Sequence, residues 1–451
     1  MNTFSELPRT DHRPAPVSLW EAVGFWFKLG WISFGGPAGQ IAMMHLELVE
    51  RRRWISERRF LHALNYCMLL PGPEATQLAV YIGWLMHRSG GAIVAGTLFV
   101  LPSLLILIAL STIYMAFGAV PAVAGVLDGI KPAVVAIVLG AAWRLGRRTL
   151  KHPLLLGIAA LSFIAIAVGG VPFPLIVLGA ALIGVAGARL RPQLFRAGGP
   201  PAGAAGQQRP ALIDDDTPPP PHAQFGWRRL ARTAGVGVGL GLLSWGWLAW
   251  RFGAAGALAQ MGWFFTKAAM LTFGGAYAVL PYVYQGAVAH FHWLSGAQMV
   301  DGLALGETTP GPLIMVVAFV GFVGAWQAAL FGEGTAALFW SGAAGALVAT
   351  WFTFLPSFIF ILAGGPLVEA SRDDVRMTAP LTAIAAAVVG VIVSLALFFG
   401  QHVFVRDGHP DWQAVAIGVV AAVALFGFRT GPIKLIAACA LAGLVLSYRH
   451  V

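Results

Sequence analysis

Most of the chain consists of apolar segments, each about as long as a membrane-crossing helix, separated by short loops that carry arginine and lysine. Two segments are interrupted in the middle, by Leu70-Pro71-Gly72-Pro73 within residues 60–86 and by Thr309-Pro310-Gly311-Pro312 within residues 299–326. Proline lacks a backbone N–H and its ring crowds the preceding turn, so an α-helix cannot continue through either sequence. A bilayer tolerates such breaks only where protein or a water-filled cavity satisfies the backbone polar groups. The pattern predicts an all-α polytopic membrane protein with broken helices and roughly 10–14 spans.

The composition agrees with a membrane protein and argues against nucleic-acid binding. The 451 residues are 58% hydrophobic and 11% charged, whereas soluble domains contain about 25% charged residues. The net charge of +10 comes largely from basic loops such as residues 51–59 and 144–151, which favour a role in membrane orientation. Cys67 and Cys439 lie inside apolar segments, so neither a disulfide framework nor a cysteine metal site is expected. We predict no metal and no cofactor.

Changes in composition divide the chain into four parts. Residues 191–227 are rich in Ala, Gly, Pro and Gln and include Asp214-Asp215-Asp216, which predicts a disordered linker. Arginines flank this linker on both sides, which places it in the cytoplasm by the positive-inside rule. The predicted parts are a cytoplasmic N-terminal tail (1–18), a first transporter repeat (19–190), the cytoplasmic linker (191–227), and an extra span followed by a second repeat (228–451).

The two halves share landmarks at one offset of 239 residues. Phe34-Gly35-Gly36 then aligns with Phe273-Gly274-Gly275, and Pro71-Gly72-Pro73 aligns with Pro310-Gly311-Pro312. Further matches at this offset are Lys28 with Lys267, Trp54 with Trp293, and Ser56 with Ser295. Leu101-Pro102-Ser103 recurs as Leu355-Pro356-Ser357 at a larger offset. Several matches in one ungapped alignment indicate an internal duplication.

Charge in the aligned loops predicts that the two repeats have inverted topology. Residues 51–59 contain five arginines, whereas the aligned residues 290–296 contain no lysine or arginine. The bias reverses after the Leu-Pro-Ser segments, because residues 117–123 lack positive charge and the corresponding turn contains Arg372 and Arg376. Since lysine and arginine mark cytoplasmic loops, the halves should be upside-down relative to each other. The additional apolar segment 230–250 supplies the odd crossing that inversion requires.

Inverted repeats with broken helices predict a substrate site near the bilayer midplane. Each break starts a half-helix whose first N–H groups lack partners and whose dipole is positive, which favours an oxyanion. Glycines would let the backbone approach the ligand closely, while lysine and hydroxyl or amide side chains would add charge and donors. The predicted substrate-binding residues are Lys28, Phe34, Gly35, Gly36, Pro71, Gly72, Pro73, Thr76, Gln77, Lys267, Thr272, Gly274, Gly275, Thr308, Thr309, Pro310, Gly311 and Pro312.

Simpler interpretations of the same residues stay open. The Pro-Gly-Pro sequences could be structural kinks with no role in binding. Lys28 and Lys267 could extend to the membrane interface. Glu74 and Glu307 are candidates for proton coupling or for pairing with these lysines, because carboxylates inside membranes are costly. The alternative for both is a place in a water-filled vestibule.

These residues resemble the chromate ion transporter family in its long, two-domain form. The similarity rests on Phe34-Gly35-Gly36-Pro37, Glu50-Arg51-Arg52-Arg53-Trp54-Ile55-Ser56, Leu70-Pro71-Gly72-Pro73 followed by Ala75-Thr76-Gln77-Leu78-Ala79, and Thr309-Pro310-Gly311-Pro312. It covers nearly the whole chain apart from the N-terminal tail and the linker. The second half departs from the first in having Ala276 after its Gly-Gly, where the first has Pro37.

The resemblance implies a secondary transporter that exports chromate across the bacterial inner membrane and confers chromate resistance, with sulfate as a competing analogue. A transporter rather than an enzyme is expected, driven by membrane potential, with proton coupling left open. The predicted partners are a small inorganic oxyanion and the lipid bilayer, and a homodimer is compatible with this class. Two alternatives stay open, an importer of sulfate or another oxyanion and a membrane-embedded chromate reductase.

Overall fold

The fold is almost entirely helical, which confirms the predicted all-α polytopic class. A computed structural model describes residues 14–34, 36–190, 210–218, 220–273, 275–370, 378–406, 408–428 and 430–448. Within these ranges it contains sixteen α-helices and one short hairpin, β1 (Val405–Arg406) paired with β2 (His409–Pro410). Both predicted Pro-Gly-Pro breaks separate two helices, as the loss of backbone donors requires.

The first half contains seven helices. They are α1 (Leu19–Ile32), α2 (Gly36–His45), α3 (Glu57–Leu69), α4 (Glu74–Phe117), α5 (Pro121–Thr149), α6 (Pro153–Ala167) and α7 (Phe173–Leu190). The second half contains α8 (Trp227–Phe252), α9 (Ala257–Met270), α10 (Ala276–Tyr284), α11 (Gly296–Thr308), α12 (Val316–Gln327), α13 (Thr335–Ala370), α14 (Thr378–Phe404), α15 (Trp412–Phe426) and α16 (Pro432–Ser447). Short 3₁₀ turns occupy Pro221–Ala223 and Leu313–Met315.

Backbone details repeat between the halves at the offset of 239 residues. A π-helical segment follows α2 at Leu46–Arg51, and another follows α10 at Gln285–His290. Each leads into a turn with a residue at positive φ, Arg53 (54°) in one half and His292 (55°) in the other. Such φ values are uncommon for residues other than glycine, so their recurrence at aligned positions supports the internal duplication.

Helix α4 corresponds to two helices of the second half. Its backbone leaves helical geometry at His87 and Arg88, where a kink separates its two parts. Across this kink a Cβ placed on Gly83 would meet the carbonyl oxygen of Gly91, so the two parts are in close contact. Gly321 of α12 faces the carbonyl oxygen of Gly345 of α13 in the same way. Small residues therefore bring the backbones together at equivalent places, as is common between membrane helices.

Helices of the two halves pack against each other in a reciprocal pattern. Helix α5 packs on α16, and its counterpart α14 packs on α7. In the same way α14 packs on α6 while α5 packs on α15, and α4 packs on α13. Gly129 and Gly443 bring α5 and α16 into backbone contact. The halves are thus intertwined, with one large core shared between them and a smaller core around α1–α4.

The structure supports a multi-pass membrane protein. Within the described ranges, four helices are long and apolar enough to cross a bilayer: Glu74–Phe117, Pro121–Thr149, Thr335–Leu367 and Pro380–Phe404. Five further apolar helices are shorter, at 10–17 residues. Helix α8 has 26 residues, enough for about 39 Å, and packs on α9 and α13 with most of its surface exposed. The count of 10–14 spans stays a prediction.

The predicted disorder of the 191–227 linker does not hold for the part that the structure describes. Residues 191–209 and 219 lie outside the described ranges, whereas residues 210–218 and 220–226 form an ordered strap against the first half. Ile213 makes a parallel β-bridge with Ile55, and the side chain of Ser56 donates to Asp215 at 2.6 Å. Composition missed this segment because its buried apolar residues, Ala211, Ile213 and Ala223, are covered only after folding.

Candidate functional site

The two helix breaks interlock across the boundary between the halves. The amide of Gly72 donates to the carbonyl of Thr272 at 2.7 Å, and the amide of Gly311 donates to the carbonyl of Ser33 at 2.7 Å. Gly72 aligns with Gly311 and Ser33 aligns with Thr272 in the repeat, so one contact is the copy of the other. The break of each half is therefore satisfied by the chain just before the Gly-Gly of the other half.

The Leu-Pro-Ser segments complete this arrangement, again by crossing between halves. Ser103 of α4 lies with its Oγ 3.3 Å from the Oγ1 of Thr309, and a Cβ on Gly311 would be 2.9 Å from the Cβ of Ser103. Ser357 of α13 stands in the same position beside Gly72. Both glycines have positive φ, +127° at Gly72 and +99° at Gly311, so each break needs glycine for its conformation and for its space.

Two buried glutamines hold the breaks in place. The amide of Gln40 donates from Nε2 to the carbonyl of Gly311 at 2.5 Å and to that of Ser33 at 3.2 Å. The amide of Gln77 donates from Nε2 to the carbonyl of Pro71 at 2.7 Å. Both side chains are fully buried. Gln40 thereby joins the two partners of one cross-half hydrogen bond, which sequence analysis did not predict.

Three buried polar atoms near the breaks have no hydrogen-bond partner. They are the Oγ1 of Thr76, the Oε1 of Gln77 and the Oε1 of Gln40. Buried polar groups are normally hydrogen-bonded, and an unpaired one costs about 1–3 kcal/mol. Polar atoms retained in this state at the meeting point of two broken helices are a functional signal, because a water would satisfy all three and an oxyanion could accept from the Thr76 hydroxyl.

The helix starts at the breaks keep part of the predicted anion-binding character. Helix α4 begins after Pro73 at the first break, the 3₁₀ turn Leu313–Met315 begins after Pro312 at the second, and neither has a side-chain N-cap. Their first N–H groups lack intrahelical partners and lie at the positive end of the helix dipole. The amides of Gly72 and Gly311, by contrast, are already bonded to carbonyls. In this conformation these two amides are therefore not available to a ligand.

The two predicted lysines do not reach the breaks. Lys28 is exposed on α1, whose buried face consists of Ala22, Phe25, Trp26, Leu29 and Gly30. Lys267 is exposed on α9, where its Nζ lies 5.8 Å from the ring centre of Trp263. This placement favours the alternative in which both lysines extend toward the membrane interface.

The two glutamates lie beside the breaks and are partly buried. Glu307 is one helical turn before Gly311 and accepts a hydrogen bond from the hydroxyl of Tyr277. Glu74 is the first residue of α4 and follows its break directly. Each has an arginine of α5 within electrostatic range, Arg148 for Glu74 and Arg144 for Glu307. The pairing with Lys28 or Lys267 that the sequence suggested is not observed.

The other predicted site residues lie at or next to the interlocked breaks. Pro73, Thr76, Gln77, Thr272, Thr309, Pro310 and Pro312 are buried, while Phe34, Gly36, Pro71, Gly275 and Thr308 are partly buried. Gly35 and Gly274 lie outside the described residues. Thr272 and Thr308 donate their hydroxyl protons to carbonyls of their own helices, so neither hydroxyl proton points to a ligand here.

The cavity beside the second break is too small for an oxyanion. It is lined by Gly36, Gly306, Glu307, Thr309, Gly311, Leu313, Pro432 and Ile433 and has a volume of about 10 Å³. One water needs about that much space. A tetrahedral oxyanion does not fit without movement of the surrounding helices.

Sequence reasoning missed Ser33, Gln40, Ser103, Ser357 and Tyr277. For three of these a signal was available. Ser33 aligns with Thr272, and Ser103 and Ser357 share the repeated Leu-Pro-Ser sequence. Gln40 and Tyr277 have no repeat partner of similar chemistry, because Gln40 aligns with Val279 and Tyr277 with Ala38. Only their contacts identify them.

Comparison with known protein families gives one match, which covers both halves. The model of the family described as "Chromate transporter" matches residues 20–185 and, separately, residues 259–444. The two matched regions leave out the described strap and α8. A family model that matches twice in one chain agrees with the duplication seen in the backbone.

Individual relatives match over most of their length. The chain is 29% identical to a chromate transport protein of Cupriavidus metallidurans, covering 96% of this chain and 94% of that protein. It is 30% identical to a chromate transport protein of Pseudomonas aeruginosa, covering 87% and 83%. An uncharacterized transporter of Bacillus subtilis is 30% identical over 135 residues, which is 30% of this chain and 75% of that protein. No solved structure matches the chain.

Proposed function

Because this chain belongs to the chromate transporter family, we propose that it is a secondary transporter that exports chromate, a tetrahedral oxyanion. The interlocked Pro-Gly-Pro breaks are the substrate site in this proposal, and the two halves exchange access to it. Transport across a bacterial inner membrane would lower the cytoplasmic chromate concentration and confer resistance.

One structural observation carries the proposal. Two helix breaks, one from each half, meet where Thr76, Gln77 and Gln40 leave buried polar atoms without partners. Broken helices at a repeat interface are the common construction of a secondary-transport site. A tetrahedral oxyanion could accept a hydrogen bond from the Thr76 hydroxyl, whereas the Oε1 atoms of Gln77 and Gln40 are acceptors and would bond to water or to a protonated oxygen of the substrate. Amide groups and helix N-termini can bind such an anion without a dedicated lysine.

Separation of the halves is the movement that the proposal requires. The Gly72–Thr272 and Gly311–Ser33 hydrogen bonds close the site in the described conformation. Opening on either side would break one of these bonds and release an amide and a carbonyl. The released glycine amide could then donate to the substrate. Because the two contacts are copies, the same exchange can occur from either side.

Membrane potential suffices to drive export. A dianion that leaves a negative interior gains about 4.6 kcal/mol per 100 mV, twice the value for one charge. Proton coupling through Glu74 or Glu307 is part of the proposal as a second driving force. Both carboxylates adjoin the breaks, and Glu307 lines the small cavity.

Flux measurements in inverted membrane vesicles test the proposal. We expect radiolabelled chromate to accumulate in vesicles that carry the protein when the lumen is made positive, and to do so less without a potential. Vesicles with a Gly72→Leu/Gly311→Leu double variant are the negative control. Equal chromate accumulation with and without the protein would contradict the proposal.

The same assay separates the two alternatives. An importer of sulfate would move labelled sulfate out of inverted vesicles in preference to chromate. A membrane-embedded reductase would convert Cr(VI) to a lower oxidation state, which loss of the chromate absorption band reports. We expect transported chromate to be recovered in its original oxidation state.

A further inference from the structure

A larger cavity lies away from the breaks, between the end of α4, the first part of α5 and the start of α11. Its volume is about 280 Å³, which is room for several water-sized groups. The polar residues that line it are Tyr114, Asp128, Lys131, Gln298 and Asp301. None of them was predicted as a site residue, and the closed site at the breaks does not use them.

The ammonium group of Lys131 contacts both carboxylates that line this cavity. The Nζ of Lys131 is 2.9 Å from Asp128 Oδ1 and 3.2 Å from Asp301 Oδ1. Asp301 is buried, with 6% of its side chain exposed, whereas Asp128 is exposed at 56%. The hydroxyl of Tyr114 donates to Asp301 Oδ2 at 2.9 Å. Asp301 Oδ1 is within ion-pair distance of the lysine but makes no hydrogen bond.

The ion pair crosses from one half to the other. Tyr114 and Lys131 belong to the first half, and Asp301 belongs to α11 of the second half. A buried carboxylate left without its partner is strongly unfavourable. The Lys131–Asp301 contact therefore ties the halves together at a second place, apart from the interlocked breaks.

Helix α11 connects this cavity with the small one beside the break. Gln298 and Asp301 line the large cavity, while Gly306 and Glu307 line the small one. The helix rises about 9 Å between Asp301 and Glu307. Helix α5 packs against α11, with Lys131 in its first half and with Arg144, toward its end, within electrostatic range of Glu307. The two cavities thus follow each other along the same pair of helices.

We propose that the large cavity is a second oxyanion site on the transport path, in which Lys131 binds the substrate and Asp301 is the built-in anion that the substrate displaces. This inference rests on the proposed function, because it assumes that an oxyanion passes between the halves. The lysine ammonium, the tyrosine hydroxyl and the Gln298 amide are donors that suit a tetrahedral dianion. The substrate replaces Asp301 on the lysine, and the exchange requires Asp301 to move toward water or to take up a proton, because a buried carboxylate without its partner is strongly unfavourable.

Displacement of Asp301 couples occupancy to movement of the halves. With the carboxylate on Lys131 a cross-half contact joins the two halves at the cavity, and with the oxyanion on Lys131 that contact is released. Asp128 stays on α5 with the lysine, because the two residues are one helical turn apart. Its exposed carboxylate would speed release of the substrate by repelling it. Lys131 therefore keeps Asp128 and contacts either Asp301 or the substrate as its second anion.

Chromate transport kinetics of the full chain in proteoliposomes test this site. The variants are Lys131→Gln, Lys131→Arg and Asp301→Asn, with Lys151→Gln as the matched control at an exposed lysine in a loop. We expect Lys131→Gln to raise KM by about tenfold or more, the contribution of one hydrogen bond to a charged group. Lys131→Arg should keep KM within a few-fold of the wild type, and Lys151→Gln should leave it unchanged.

Asp301→Asn should lower both KM and the maximal rate, because an unopposed lysine binds the substrate tightly and releases it slowly. A purely structural ion pair would instead lower the maximal rate in both variants with KM unchanged. An unchanged KM in Lys131→Gln overturns the proposal. If Lys131→Gln does not fold, the test rests on Asp301→Asn alone. An unchanged or raised KM of Asp301→Asn then overturns the proposal.

Failure of the proposed function gives a different result. If the wild type moves no chromate, equilibrium binding of labelled chromate to the solubilised full chain replaces the kinetics. Tighter binding by Asp301→Asn than by the wild type would support an oxyanion site at Lys131 without chromate transport. Equal or weaker binding would overturn it.

Discussion

Gly72 and Gly311 show how single residues permit the two halves to interlock. Each lies at a φ that L-residues rarely adopt, and each has a serine of the other half directly against its Cα. Both the positive φ and the lack of room for a Cβ thus require glycine at these two positions. The glycines are tied to the fold by contacts from outside their own half, which explains why both breaks carry the same sequence.

Gly72→Ala should destabilise the protein and reduce chromate flux. The new Cβ would meet Ser357 Oγ and would lie 2.7 Å from Gln77 Nε2, at a φ of +127°. We expect a loss of stability of about 2 kcal/mol or more, from backbone strain and overpacking together. Thermal unfolding in detergent and flux in proteoliposomes measure the two effects.

Two further variants control this prediction. Gly24→Ala adds a Cβ with no atom within 4 Å in the interior of α1, so it should be neutral or slightly stabilising. Adding Ser357→Ala to Gly72→Ala removes the oxygen that the new Cβ meets and should recover part of the stability. Equal stability of Gly72→Ala and the wild type would contradict the assigned geometry.

Gln40→Leu should weaken the contact between the two halves at the second break. The variant keeps an apolar side chain of similar size but leaves the carbonyls of Ser33 and Gly311 without their shared donor. An unpaired buried acceptor costs about 1–3 kcal/mol, so thermal stability in detergent should fall. Gln401→Leu, at an exposed position on α14, is the control. A stability as high as that of the wild type would show that Gln40 does not hold the break.

At the scale of elements, the strap is the unexpected part of the fold. The amides of Leu212 and Ile213 donate to the carbonyls of Arg53 and Trp54, and the amide of Ser56 donates to Ile213. Further along, the ring of His222 makes a hydrogen bond with the carbonyl of Trp84 at 3.0 Å. The strap therefore covers the turn before α3 and the end of the first part of α4.

Docking of the strap should weaken in acid. Burial lowers the pKa of His222 below its ordinary value of 6.5, and the charges of Arg88 and Arg229 lower it further. A histidine whose pKa is depressed by docking stabilises the docked state above about pH 6.5, and this contribution is lost as the pH falls through the lowered pKa.

Hydrogen exchange of the Leu212 and Ile213 amides measures this effect. We expect lower protection factors at about pH 5.5 than at about pH 7.5, after correction for the intrinsic exchange rate. His222→Asn keeps a polar side chain but cannot titrate, so it should remove the difference between the two pH values. Equal protection at both pH values in the wild type would show that His222 does not control docking.

For the whole molecule, reciprocal contacts between the halves leave no half able to bury its core alone. Helix α5 needs α16 and α15, and α14 needs α7 and α6. The break of each half also needs the carbonyl of the other. A transporter built in this way can change which side of the membrane reaches the site by shifting one half against the other. The reason is that each contact from the first half to the second has a repeat-related contact from the second to the first.

Inverted topology of the halves stays a prediction, and labelling tests it directly. Single cysteines at Arg53 and at His292, in a background with Cys67 and Cys439 replaced, occupy equivalent turns of the two repeats. A membrane-impermeant thiol reagent should label the Arg53 position only in inside-out vesicles and the His292 position only in right-side-out vesicles. Labelling of both positions in the same type of vesicle would rule out inversion.

The amino-acid sequence by itself determined the class of the fold, the two breaks and the duplication. These follow from properties that act locally along the chain. Apolar length decides whether a segment can be a membrane helix, and proline at 71, 73, 310 and 312 ends a helix whatever surrounds it. Repeated residues at one offset need no structure to be recognised. The hypothesis that the substrate binds at the breaks rests on the same information.

Only the tertiary structure decided which groups meet at those breaks and which do not. Lys28 faces outward, whereas Gln40 and Ser33 reach the break of the other half, and Asp301 reaches Lys131 across the boundary between halves. The order of the strap also depends on a partner far along the chain. Side-chain direction and long-range pairing are set by how helices pack, and the free energy of that packing depends on residues that are neighbours only after folding.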